Sequence, residues 1–223
     1  NLLGKAQDLK LSLGLSAKRQ QVDLSFTEPY FLDRHVSAGF DIFSLKEDQQ
    51  DRSSFDEKSN GFSLRSRFPI TENLKQGLRY TLREDTIENI DNDTSSFIRV
   101  DAGDYVTSAI SYGLTYDTRD DIFLPTTGII IGGSQELAGL GGDVQFIRST
   151  AKLSYFYPFT QDMVANAALK GGHILGLDQD VRVLNRFFLG GDNFRGFETG
   201  GLGPRDSSTD DAIGGNTYFV ATG

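Results

Sequence analysis

A period of two runs through this chain and limits it more than any other feature. From Asp8 to Ser16, Leu9, Leu11, Leu13 and Leu15 fall on one face, with Lys10, Ser12, Gly14 and Ser16 on the other. That is the spacing of a strand with one apolar side. Val22, Leu24 and Phe26 alternate with Asp23, Ser25 and Thr27, and Val36, Ala38, Phe40 and Ile42 with Ser37, Gly39 and Asp41. Phe62 and Leu64 alternate with Ser63, Arg65 and Arg67, while Leu74, Leu78, Tyr80 and Leu82 lie opposite Lys75, Gly77, Arg79 and Arg83. Val106, Ile110, Tyr112, Leu114 and Tyr116 continue the pattern, as do Ile147, Ala151, Leu153, Tyr155 and Tyr157. Segments 129–138, 163–175 and 214–222 bring the expected total to about ten strands. No segment carries the stripe of an amphipathic helix, so the chain reads as all-β.

Alternation alone also fits a soluble sandwich. The connections separate the two. Long or polar ones follow alternate strands, at 17–21, 46–58, 84–104, 139–143 and 176–213. Those between are short, at 30–35, 70–73, 118–128 and 158–162, and four of the five prolines stand beside them among aromatics: Pro29-Tyr30-Phe31, Phe68-Pro69, Phe123-Leu124-Pro125 and Tyr157-Pro158-Phe159. An up-and-down meander puts every second connection at the same end. One end therefore has tight turns ringed by Phe and Tyr, and the other has long polar loops. This asymmetry belongs to outer-membrane barrels, with short periplasmic turns, long outer loops and an aromatic girdle; Greek-key crossovers would not sort loops this way.

Composition closes several other routes. With 22 Lys and Arg against 31 Asp and Glu, the net charge is −9, so no field attracts nucleic-acid phosphates. Mean hydropathy is −0.32. No apolar run reaches the roughly 18 residues that a membrane helix needs, but a barrel strand needs only about ten, half of them facing lipid. Zero cysteines remove disulfides and thiolate chemistry. The two histidines, His35 and His173, are far apart and have no metal-ligand spacing, so no metal or cofactor is expected. Asn1 opens without a basic stretch and apolar core, which places any signal peptide outside these residues.

Few segments invite chemistry. In Tyr116–Gly128, the carboxylates Asp117, Asp120 and Asp121 beside Arg119 suggest acid/base work or cation binding, yet the segment lacks a calcium-loop pattern or a partner histidine. Asp and Thr side chains capping a turn, with Pro125 fixing φ and Gly128 taking an unusual conformation, explain it more simply. The glycines at 139, 141 and 142, and at 171 and 172, do not join a strand to a helix, so they are not phosphate cradles. No Gly-x-Ser-x-Gly elbow exists, so no catalytic residue is expected and the protein is not read as an enzyme.

Two features point inward. On the polar face, Arg65 and Arg67 sit beside Lys75, Arg79 and Arg83, a basic strip in an acidic chain. It is either hydrated and ion-paired with Asp23 or Asp41, or it holds an acidic loop or passenger. The segment Arg186–Asp206 contains Gly190, Gly191, Phe194, Arg195, Gly196 and Phe197, and so many aromatics and glycines around one arginine describe a hairpin folded onto something. A loop at a barrel mouth can fold into the lumen, where an arginine needs a carboxylate partner. Alternatively, its aromatics thicken the outer girdle.

Phe194-Arg195-Gly196-Phe197 within Gly-Gly-x-x-Phe-Arg-Gly-Phe resembles the Val-Arg-Gly-Phe/Tyr signature of the sixth extracellular loop in the BamA family, with Phe194 in place of the usual valine. Tyr116–Gly128 resembles that family's turn between barrel strands eight and nine, Phe26-Thr27-Glu28-Pro29-Tyr30 the end of strand four, and Asp211-Ala212-Ile213-Gly214-Gly215-Asn216 the start of strand twelve. Their order spans the chain, as strands three to the beginning of twelve.

The resemblance implies part of a 16-stranded outer-membrane barrel that inserts and folds nascent outer-membrane β-barrel proteins. Periplasmic POTRA domains, lipoprotein accessory subunits and outer-membrane lipid would be its partners. Arg195 would pair inside the lumen with acidic residues of strands twelve and thirteen. Sixteen strands need roughly 350 residues, so residues 1–223 are expected to be one incomplete barrel domain, with residues 176–213 forming a long lumen-folded loop. The alternatives are a TamA-like or two-partner-secretion translocator, a passive porin, or a soluble β-sandwich enzyme or lectin.

Overall fold

The structure, a computed structural model, describes residues 6–160, 162–191 and 194–223. Ten antiparallel strands form one sheet in sequence order: β1 (Asp8–Leu15), β2 (Arg19–Glu28), β3 (Ser37–Asp48), β4 (Asp56–Pro69), β5 (Leu74–Glu88), β6 (Gly103–Asp117), β7 (Gly128–Gly142), β8 (Phe146–Pro158), β9 (Val164–Gly176) and β10 (Thr217–Thr222). Among the described residues β1 and β10 do not pair with each other, so this is an open, up-and-down portion of a barrel wall. Among the described residues no helix is long and apolar enough to cross a membrane. The helical pieces are single turns in the connections, chiefly α1 (Gln50–Ser53) and α2 (Ser96–Arg99) in long loops.

The period-two pattern becomes two faces through register. Leu11 pairs with Leu24, Phe40 with Leu64 and Leu64 with Tyr80, so the outer face is a continuous apolar sheet. Its side chains stay uncovered: Leu13 is 66% exposed and Leu15 80% exposed. Hydrocarbon is the solvent in which such a face is stable. The short-turn end adds Leu32, Phe123 and Leu124, at 75%, 90% and 81% exposure.

The inner face is polar, and the buried core lies on it, beneath the longest loop. One cluster joins Ala109, Ala138, Phe146 and Ile174 of the wall to Val144 and Val181 of the loops. Another joins Ile87 to Phe55, Ile98 and Val183.

Strands run further toward the long-loop end than the sequence pattern predicts. Residues 46–48, 56–58 and 84–88 read as loop because they are polar, yet Lys46 pairs with Lys58, Glu47 with Glu57, Asp48 with Asp56 and Asp56 with Glu88. There the ladder stands clear of the apolar band, so its outward positions need no apolar residue. Conversely, β10 starts at Thr217, and the expected strand start at Asp211–Asn216 belongs to the loop, held by isolated bridges from Gly215 to Phe187 and from Ala212 to Arg205.

Candidate functional site: a wall capped by its longest loop

Residues 177–216 connect β9 to β10 and fold across the inner face at the long-loop end. Side chains of the wall hold them from below. Arg83 Nη2 donates to Asn185 Oδ1 at 2.8 Å, and Arg148 Nη2 donates to the Asn185 carbonyl at 2.6 Å. Arg83 is itself oriented by Asp85 at 2.8 Å and Arg148 by Glu136 at 3.3 Å. Phe187 packs against Tyr218 with the rings tilted and their centroids 4.7 Å apart, and Arg148 lies over the Phe146 and Phe187 rings. A buried guanidinium with both carboxylate and carbonyl partners recovers much of its desolvation cost.

From the side, neighbouring loops latch the cap through carboxylates. Asp211, which is buried, accepts from Ser54 Oγ at 2.7 Å, from the Ser95 backbone N–H at 2.7 Å and from Thr209 Oγ1 at 2.9 Å. Asp206 accepts from Ser95 Oγ at 2.5 Å and from Ser208, which holds its carboxyl down at about 2. Asp101 accepts the Val183 N–H at 2.6 Å and pairs with Arg182, whose guanidinium lies on Tyr105. Ser53 Oγ donates to the Ala212 carbonyl. The cap is thus tied to the two loops carrying α1 and α2 and to the wall below.

The Gly-Gly-x-x-Phe-Arg-Gly-Phe segment forms the tip. Gly190 has φ +120°, and a Cβ there would stand 1.8 Å from the Glu198 carbonyl oxygen, so glycine is required. Gly191 and Gly196 also have positive φ. The Gly191 N–H donates to the Phe197 carbonyl, and Phe194 and Phe197 contact ring to ring at 5.5 Å. Arg195 is exposed and makes no ion pair with any described residue. Asp192 and Asn193, the two variable positions of the segment, lie outside the described residues.

The turn from Asp117 to Gly128 holds itself. Arg119 donates to both Asp117 oxygens at 2.8 Å. Asp120 accepts from the Thr126 hydroxyl and from the Thr127 and Thr126 N–H groups, Asp121 from the N–H groups of Leu124 and Phe123, and both carboxyls are held below their ordinary range by these donors. Pro125 lies inside this turn. Gly128 has φ +108°, and a Cβ would meet the Thr118 carbonyl oxygen at 2.4 Å. The three carboxylates face turn donors rather than a shared cavity, and no group of metal-ligating side chains is found among the described residues. His173 faces outward from β9, its Nδ1 2.7 Å from Thr217 Oγ1.

Asp206, Asp211, Ser54 and Ser95 escaped sequence analysis because their contacts span more than 100 residues. The Asp-Ala-Ile-Gly-Gly motif was the one available signal, and it reads as a strand start.

Comparisons with known proteins agree with this architecture. A family model described as Omp85 superfamily domain matches residues 1–223. The outer membrane protein assembly factor BamA of Neorickettsia risticii is 32% identical over 224 residues, 100% of this chain and 30% of that protein. The protein of the same name from Nitratidesulfovibrio vulgaris is 31% identical over 220 residues, 97% of this chain and 27% of its own length. The Sorting and assembly machinery component 50 homolog of Mus musculus is 28% identical, covering 99% of this chain and 47% of that protein. The crystal structure of BamA from Haemophilus ducreyi lacking POTRA domains 1-3 superposes with a TM-score of 0.82 at 24% identity, covering 98% of this chain and 47% of that one. At that identity the likeness is one of fold. The chain spans less than half the length of each of these relatives.

Proposed function

The chain belongs to the Omp85 superfamily, and from that premise we propose that it is the barrel portion of a factor that inserts and folds β-barrel proteins in the bacterial outer membrane, where the family's barrels reside. The observation that carries this reading is whole-chain similarity, above 30% identity, to two proteins named as outer membrane protein assembly factors. The capped inner face supports it against a passive porin, which needs an open lumen. The protein acts without covalent chemistry, by offering strand edges and a weakened bilayer to incoming strands.

Nascent outer-membrane β-barrel proteins are then its substrates, with periplasmic and lipoprotein accessory subunits and outer-membrane lipid as partners. Arg195, exposed at the cap tip, pairs with a carboxylate of wall strands that follow β10 and keeps the cap in register. The test uses the full-length protein in liposomes, with folding of a small unfolded β-barrel protein followed by heat-modifiable gel mobility. Severalfold faster folding than in empty liposomes is expected, and equal rates would overturn the proposal.

A further inference from the structure

Across β4 to β8 one inward row reads Arg65, Arg79, Ser111, Glu136 and Arg148. Below it, toward the short-turn end, the wall changes character. The next row is Arg67, Gly77, Gly113, Ser134, Thr150 and Gly172, and the one beneath holds Lys75, Thr115, Gly132, Lys152 and Lys170. Glycines and hydroxyls thus line a trough, and cations flank it. Cavities of about 760 Å³ and about 370 Å³ share Gly113 and Ser134 along it. The outer cation rows lie four residues apart along a strand, about 13 Å, enough to admit one extended chain.

Among the described residues these cations have no carboxylate within ion-pair distance, Lys75 feeling only the more distant charge of Asp117, in a chain with 31 acidic residues. Asp41 is already shared by Arg65 at 3.0 Å and Arg79 at 3.1 Å, and Asp117 is held by Arg119. Arg67, Lys75, Lys152 and Lys170 are exposed and make no ion pair with any described residue. Lys152 and Lys170 are direct cross-strand partners, an arrangement that costs stability when nothing neutralises it. A concave wall of one charge sign raises the local concentration of anions.

We propose that this trough binds an acidic polypeptide segment in extended conformation, entering from the short-turn end. The cap of residues 177–216 covers the opposite end, and the apolar face turns away from the trough. A polymer of carboxylates reaches this site through water rather than from the bilayer. Gly77 and Gly113 leave room for a backbone against the wall, while the Tyr218 and Phe187 rings close over Gly172 at the far side. The inference goes beyond the proposed insertase activity and does not depend on it.

The probe is a fluorescent decapeptide of alternating Glu and Ser with a terminal cysteine, bound to the full-length protein in detergent and read by anisotropy. Saturable binding that weakens with salt is expected, with a loss of about tenfold or more when Arg67, Lys75, Lys152 and Lys170 are all changed to Gln. Heat-modifiable gel mobility reports whether each variant is folded. Disulfide trapping locates the peptide: Ser134→Cys, facing the trough, should capture it, and Ser149→Cys, on the outer face, should not. Three results would overturn the proposal: no saturable binding, equal binding by a Gln-Ser peptide, or equal trapping at both cysteines. Displacement by inorganic polyphosphate at far lower concentration than by free peptide of equal charge would reassign the trough to phosphate-bearing ligands. Because no step depends on folding of other barrels, this test can fail while the insertion assay succeeds, and the reverse.

Discussion

The two halves of the inner wall are built on the same alternating strands and end in opposite electrostatic states. Near the long loops, Arg83 and Arg148 of the wall each find a carboxylate and contact the cap through Asn185 and Phe187, and the cap's own Arg182 pairs with Asp101 of a neighbouring loop. Near the short turns, Arg67, Lys75, Lys152 and Lys170 make no ion pair with any described residue, and Lys75 has only the more distant charge of Asp117. Charge on a lumen face is therefore not a stability device by itself. It stabilises only where another segment brings donors, acceptors and apolar area to it, and the cap brings Val181, Val183, Phe187 and Ile213 along with its polar groups.

The contrast breaks most visibly at the latch. Asp211→Ala removes a buried acceptor from three donors, and about 2–3 kcal/mol of stability should go with it, read as a lowered thermal midpoint of the reconstituted barrel and protease cleavage within residues 177–216. An unchanged midpoint would mean that the cap is not tied down as described. Gly128→Ala, at the opposite end, forces a Cβ onto the Thr118 carbonyl at positive φ and should cost about 1–3 kcal/mol without exposing the cap to protease.

Acid sharpens the comparison further. The Asp206 carboxyl sits at about 2 when folded, against an ordinary 3.8. Its contribution is thus fully present above pH 4 and is lost as pH falls through 4 toward 2. Thermal midpoints across that window should flatten in Asp206→Asn. The smallest effect is expected in the trough, where Lys152→Gln with Lys170→Gln should move stability by no more than about 0.5 kcal/mol, and upward if at all, since a like-charge pair is relieved. A large loss there would show that these lysines have structural partners after all.

Faces and ends were legible in sequence because each is a local property. Leu9 to Leu15 specify an apolar side without reference to any other segment, and Pro29, Pro69, Pro125 and Pro158 mark one end by their own backbone limits. The strand extensions at 46–48, 56–58 and 84–88 were hidden because polar residues in a ladder and in a loop look alike when no apolar band requires alternation. Latch contacts such as Ser54 to Asp211 join residues 157 apart, and a short polar residue in a loop carries no mark of a distant partner. The pairing of Arg65 with Asp41, by contrast, could be anticipated, since opposite charges stood on faces that the period had already aligned.

Which solvent touches each face decides the whole account, and site-directed spin labelling along Phe62–Pro69 of the full-length protein in liposomes measures it directly. With a nitroxide at each position in turn, the even positions, including Leu64 and Ser66, should relax faster with membrane-soluble oxygen. The odd positions, including Arg65 and Arg67, should relax faster with a water-soluble nickel chelate. Loss of the two-residue alternation, or even positions shielded from both reagents as in a soluble sandwich, would contradict it.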